Sequence, residues 1–204
     1  MKNLIFLTIF AILFSFGIYY NENYFFEKKP SKKEIEKKEK KISVIDKKVQ
    51  SIFKNNSKII LDKKDSIIFF TNDKSNKSTK LKEILLSSKE LQNKLKINVN
   101  AYYIDTSKKQ SHIIDYEDKQ LKIDTQTMTS LYNIDTTPTL IFLDMHNYEI
   151  FSLTGLISKE QLISTLEFIK NRLYKNKDRK SGEVYNSLIE YYKKNNITIK
   201  SFIK

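Results

Sequence analysis

One short segment, Ser66-Ile67-Ile68-Phe69-Phe70-Thr71, most constrains what this chain can become. Its centre is apolar without a polar alternate and has the length of a strand. A strand built this way needs cover on both faces. That requirement points to a layered α/β domain with this strand in the middle of its sheet. Leu140-Ile141-Phe142-Leu143 makes the same demand, and Thr136-Thr137-Pro138-Thr139 leads into it. Asn98 to Asp105 reads as a further strand, and Glu149 to Leu153 alternates as another, broken by Gly155. Lys58 to Leu61 is a shorter candidate.

Helical spacing fills the gaps. Ile42, Ile45, Val49, Ile52 and Phe53 form one apolar stripe able to dock on a domain. Leu81, Ile84, Leu85, Leu91 and Leu95 predict a single helix of about 18 residues. Residues 106–123 read as a polar loop with a hairpin at Ile113-Ile114 and Leu121–Ile123. Asp124 is placed to cap a short helix carrying Met128 and Leu131, and Asn133 to end it in the left-handed conformation. Ser158-x-x-Gln161 is a capping box ahead of Leu162, Ile163, Leu166, Ile169 and Leu173. Val184, Leu188, Tyr191 and Tyr192 mark a last amphipathic helix. Three glycines and two prolines are too few for a sandwich of many tight turns.

Charge separates the ends from the middle. The net is +13; residues 27–65 carry +7, residues 170–204 another +7, and residues 66–169 carry −1. Nucleic-acid binding calls for arginine forks and interleaved aromatics on one face. Here only Arg172 and Arg179 are arginine, and lysines alternate with glutamates as in Lys33-Glu34-Ile35-Glu36-Lys37. That is the pattern of a solvated charged helix, so no nucleic-acid partner is expected. The chain has no cysteine, which excludes disulfides, thiolate nucleophiles and thiolate metal ligands.

Leu4 to Tyr20 is an uncharged apolar run of 17 residues behind Met1 and Lys2. As a helix it reaches roughly 25 Å, near the short limit for a bilayer span. Tyr19, Tyr20, Tyr24, Phe25 and Phe26 follow as an interfacial belt. A cleavable signal is the rival, with Ser15-Phe16-Gly17 as a weak processing site. The bulky residues after that site favour an uncleaved anchor. Lys28, Lys29, Lys32 and Lys33 would by charge alone hold the following residues in the cytoplasm, yet long domains translocate largely regardless of charge.

Three segments carry a family resemblance: Phe69-Phe70-x4-Ser75-Asn76-Lys77-Ser78-x2-Leu81; Leu131-Tyr132-Asn133-Ile134-Asp135-Thr136-Thr137-Pro138-Thr139 with the strand behind it; and Gly155-x2-Ser158-x-x-Gln161-Leu162. Together they resemble the thioredoxin family over about residues 43–195, and most of all the periplasmic thioredoxins associated with sulfur oxidation. The resemblance implies a central mixed sheet flanked by helices and a cis peptide before Pro138. It also implies export, hence an inner-membrane anchor with the domain in the periplasm or a cleaved periplasmic form. The chain then divides into an anchor or signal segment at 1–20, a charged juxtamembrane linker at 21–41, the thioredoxin-like domain at 42–176 and a basic helical C-terminal extension at 177–204.

In that family two cysteines spaced C-x-x-C open the first helix, and the thiolate of the first attacks a substrate disulfide. Here those positions are Ser75 and Ser78, bracketing Asn76 and Lys77. A serine hydroxyl is far too weak an acid for a helix dipole to ionise, and it forms no disulfide, so the redox chemistry is absent. A hydrolytic serine needs an oriented base. His112, in the expected loop, and His146, in the turn after the third strand, read as ordinary exposed histidines. Asp115, Glu117 and Asp118 read as solvated loop acids. No catalytic residue, metal or cofactor is expected. The reading is a redox-inactive module that binds an envelope protein or peptide at Thr137 and Pro138, with Ser75 to Ser78 as the facing wall and the membrane reached through residues 4–20. The alternative is a member of the oxidoreductase family with non-disulfide or partner-dependent chemistry.

Overall fold

The computed structural model describes residues 46–60, 64–116 and 119–199. These lie within one compact unit. The expected anchor at 1–20 and linker at 21–41 lie outside the described residues. Among the described residues no helix is long and apolar enough to cross a membrane.

The elements in chain order are β1 (Lys58–Ile59), β2 (Ser66–Thr71), α1 (Asn76–Ser87), α2 (Lys89–Asn98), β3 (Asn100–Asp105), β4 (Ser111–Tyr116), β5 (Lys119–Asp124), α3 (Thr125–Leu131), β6 (Thr139–Leu143), β7 (Glu149–Thr154), α4 (Lys159–Lys170) and α5 (Glu183–Lys194). A helical stretch at 46–50 precedes them. The central sheet has the order β3-β2-β6-β7. β2 and β3 run parallel, joined through α1 and α2 as a crossover, and β6 and β7 are antiparallel additions. This is the mixed sheet that the resemblance implies.

Every residue of β2, β3 and β6 is buried. The strand period of two explains how one run serves two cores. Ile67 and Phe69, Ala101 and Tyr103, and Leu140 and Phe142 point into one cluster with α1, α2, α4, α5 and residues 49–53. Ile68 and Phe70, Tyr102 and Ile104, and Ile141 and Leu143 point into a second, smaller cluster closed by Ile59, Ile114 and Met128. Each such side chain contributes on the order of 1.5–3 kcal/mol of transfer free energy. α5 belongs to the first cluster, because Val184, Leu188 and Tyr192 are buried within it.

Two expectations need correction. The predicted single helix is two: α1 stops at Ser87, and Ser88 leaves helical geometry and caps α2 by accepting from the Leu91 N–H. Ser88 is a good cap and a poor helix interior, so the chain turns there. The predicted loop at 106–123 is largely ordered. β4 and β5 form a hairpin, and with β1 they make a separate three-stranded sheet of order β1-β4-β5. Its buried residues, Ile59 and Ile114, cover the second core.

Candidate functional site

The site grows from the entry to α1. Asn72 begins the turn after β2, and its carbonyl accepts from the Ser75 N–H at 2.9 Å. Its side chain accepts from the Lys74 N–H at 2.9 Å. Ser75 is the α1 N-cap: its Oγ accepts from the Ser78 N–H at 3.3 Å. Ser78 is fully buried, and its Oγ accepts from the Asn72 N–H at 3.2 Å. Asn76 and Lys77 are exposed. Both serine oxygens are thus committed to the backbone of the turn and the helix start, as suits residues with short polar side chains.

The facing wall comes from the loop before β6. The Thr137–Pro138 peptide bond is cis. Pro138 is buried and Thr137 half-buried. The Pro138 carbonyl accepts from the Gly155 N–H at 2.8 Å, which ties the start of β6 to the end of β7. Gly155 has a φ of 99°, a conformation open to glycine. The two walls meet where Ser75 Oγ donates to the Thr137 carbonyl at 3.2 Å. The structure therefore brings Ser75, Ser78, Thr137 and Pro138 to one place. Among the described residues the Thr137 N–H makes no hydrogen bond.

Neither histidine serves the serines. His112 is not the exposed loop residue expected from the sequence. It sits on β4, fully buried, with Nδ1 2.7 Å from the Asn56 carbonyl and Nε2 3.0 Å from Thr125 Oγ1. The carbonyl can only accept, so Nδ1 carries a proton. His146 is exposed in the turn between β6 and β7, at the far end of β6 from Pro138. Asp115 accepts from Gln120 Nε2 at 3.0 Å across the β4–β5 hairpin, and Glu117 and Asp118 lie outside the described residues. Among the described residues no imidazole or carboxylate hydrogen-bonds either serine hydroxyl, so the nucleophile–base pair of covalent catalysis is not assembled.

A cluster of five charged groups beside the α1 entry was not anticipated. Lys82, 4% exposed, pairs with Asp46 at 2.6 Å and with Asp73. Lys108 lies 3.1 Å from Asp46, 3.3 Å from Asp73 and 3.0 Å from Asp105. Burial opposes the charge on each carboxyl. For Asp46, hydrogen bonds from Lys82 and Lys108 win, and its pKa falls. For Asp73, burial wins, aided by a hydrogen bond shared with Asp105, and its pKa rises. Asp105 is held low by that bond and by Ser107 and Lys108 despite its burial. Tyr103, buried nearby, is pushed up to about 12 by desolvation. The oxygens of Asp46, Asp73 and Asp105 lie within 4.8 Å of one another, as metal ligands can. The Lys108 ammonium already contacts all three, so the chain supplies its own cation.

A cleft of about 380 Å³ opens on the other side of Asn72 and Thr137. Its walls are the β3–β4 loop, the first turns of α3 and residues 134–137. The lining is mostly hydroxyls and carboxamides.

Comparison with known proteins agrees with this architecture. A family model described as a thioredoxin-like domain matches residues 52–170. No curated protein matches the chain. Among solved structures, a thioredoxin-fold protein from Helicobacter pylori superposes with a TM-score of 0.68 at 24% identity, over 72% of this chain and 94% of that one. A thioredoxin from Thermus thermophilus gives a TM-score of 0.39 at 15% identity, over 52% of this chain and 73% of that one.

Proposed function

Because the chain belongs to the thioredoxin-like domain family, we propose that it is a redox-inactive member that holds a partner polypeptide in the groove beside Pro138. The observation that carries the proposal is the juxtaposition of oxygen and groove. Where exchange chemistry needs two sulfurs the chain has Ser75 and Ser78, and it has no cysteine elsewhere to substitute. A hydroxyl at that position neither attacks a disulfide nor resolves one.

The groove wall supports binding without turnover. The Thr137 N–H is unspent among the described residues, and its carbonyl holds a single bond from Ser75, leaving one lone pair. An extended peptide pairs with such a backbone edge as an added strand. Within the family we read the chain as nearest the periplasmic thioredoxins associated with sulfur oxidation. We place it at the inner membrane, with residues 4–20 as the anchor, residues 21–41 as spacer and the domain in the periplasm.

Photo-crosslinking in cells tests the groove. A crosslinker at Thr136, exposed beside the groove, captures a defined partner, and one at Lys193, exposed on α5, does not. Equal capture from both positions, or none from 136, contradicts the reading. Alkaline phosphatase fused after residue 41 tests the placement: an active fusion is expected, and an inactive one argues for a cytoplasmic domain.

A further inference from the structure

Resting on that groove reading, we infer that the bound polypeptide is acidic, with a carboxylate side chain entering the cleft that adjoins Thr137. The cleft, about 380 Å³, falls in the lower range of small-ligand sites and suits a side chain rather than a folded element. Thr137 and Asn72 line it and also border the groove, so a strand laid along Thr137 passes its mouth. Side chains of such a strand alternate in direction. Every second residue therefore faces the cleft.

The polarity of the cleft decides what enters. Its hydroxyls have spent their protons inside the fold. Thr106 donates to the Thr71 carbonyl at 3.0 Å, Ser107 to Asp105 at 2.7 Å and Thr129 to the Gln126 carbonyl at 2.7 Å. The Lys108 ammonium is held by its three aspartates. The donors left for a guest are the Lys109 ammonium and the Thr137 N–H. Lys74 and Lys77, on either side of Ser75, are exposed, as is Lys109, and among the described residues none of the three lies in an ion pair. The lining holds one carboxylate, Asp135. Three unpaired cations against one acid favour an anionic guest and steer it to this edge of the domain.

The test uses the full-length chain in detergent and two labelled peptides, one alternating Val-Glu and its Val-Gln twin, read by fluorescence anisotropy. The acidic peptide binds at least ~fivefold tighter, and the double variant Lys77→Glu/Lys109→Glu abolishes that preference. The control Lys193→Glu/Lys194→Glu makes the same change in net charge on α5 and keeps it. Equal binding of both peptides overturns the acidic inference and leaves the groove reading standing. Loss of the preference in the control as well assigns the attraction to net charge and overturns the inference. Binding of neither peptide removes the groove reading and the inference with it.

Discussion

The Ser75 hydroxyl donates a hydrogen bond to the Thr137 carbonyl at 3.2 Å, across 62 residues of sequence. The same oxygen caps α1 by accepting from the Ser78 N–H. One side chain thus fastens the helix start to the loop before β6, where a family enzyme keeps its attacking sulfur. Ser75→Ala removes both bonds. The expected loss is about 1 kcal/mol, within the range for an N-cap, read as a lowered urea midpoint at an unchanged slope.

The buried lysine carries a larger share. Lys82→Met leaves Asp46 and Asp73 facing each other with half their compensation gone, and a cost of about 3–5 kcal/mol is expected. Lys94 pairs with Glu167 between α2 and α4, with side-chain exposures of 24% and 26%. Water screens that pair, so Lys94→Met costs about 1 kcal/mol or less. Urea denaturation of the two variants side by side measures the contrast; equal losses would count against the assigned burial.

The acid cluster also gives a signed pH dependence. Asp46 has its carboxyl held below the ordinary value, so its stabilisation is complete above the unfolded pKa of about 3.9 and is lost as pH falls through the lower folded value. Asp73 is raised, so its contribution is complete below that unfolded value and is lost as pH climbs through the higher folded one. Hence the deficit of Asp46→Asn shrinks on acidification, whereas that of Asp73→Asn grows. Midpoints measured near neutrality and below about pH 4 distinguish the two; parallel behaviour contradicts the assignment.

The C-terminal helix is part of the folding unit. Leu188 is fully buried against the first core, so Leu188→Ala costs about 2–5 kcal/mol. Ahead of it, Tyr174 donates its hydroxyl toward both oxygens of Asp65, each at 3.0 Å, and Arg179 pairs with Asp144 at 2.6 Å. Truncation before α5 yields chains that aggregate or expose apolar surface to dye, while a chain folding normally without α5 would show that helix to be dispensable.

What was legible in the sequence follows from range. β2 and β6 announce themselves because a strand buried on both faces leaves no polar alternates, and Ser158 and Gln161 announce α4 because a capping box is complete within four residues. Asn133, with a φ of 51°, ends α3 as a local rule requires. Elsewhere the information is not local. Asp46 and Lys82 meet across 36 residues and Asp46 and Lys108 across 62, and in a lysine-rich sequence nothing sets these two lysines apart. His112 was misplaced because its partners, Asn56 and Thr125, come from other segments and only the folded hairpin buries it. The break at Ser88 did leave a signal: Ser87-Ser88 interrupts an apolar period that otherwise carries on across it.

The most direct measurement returns sulfur to the two positions. In Ser75→Cys/Ser78→Cys, oxidised glutathione closes one intramolecular disulfide, two free thiols disappear, and the chain gains insulin reductase activity in the presence of a thiol reductant. The helix start and the Thr137–Pro138 loop then serve the chemistry for which their geometry is arranged. A double variant that keeps native circular dichroism but leaves both thiols free under oxidation would contradict the claim that only oxygen stands between this groove and thiol exchange.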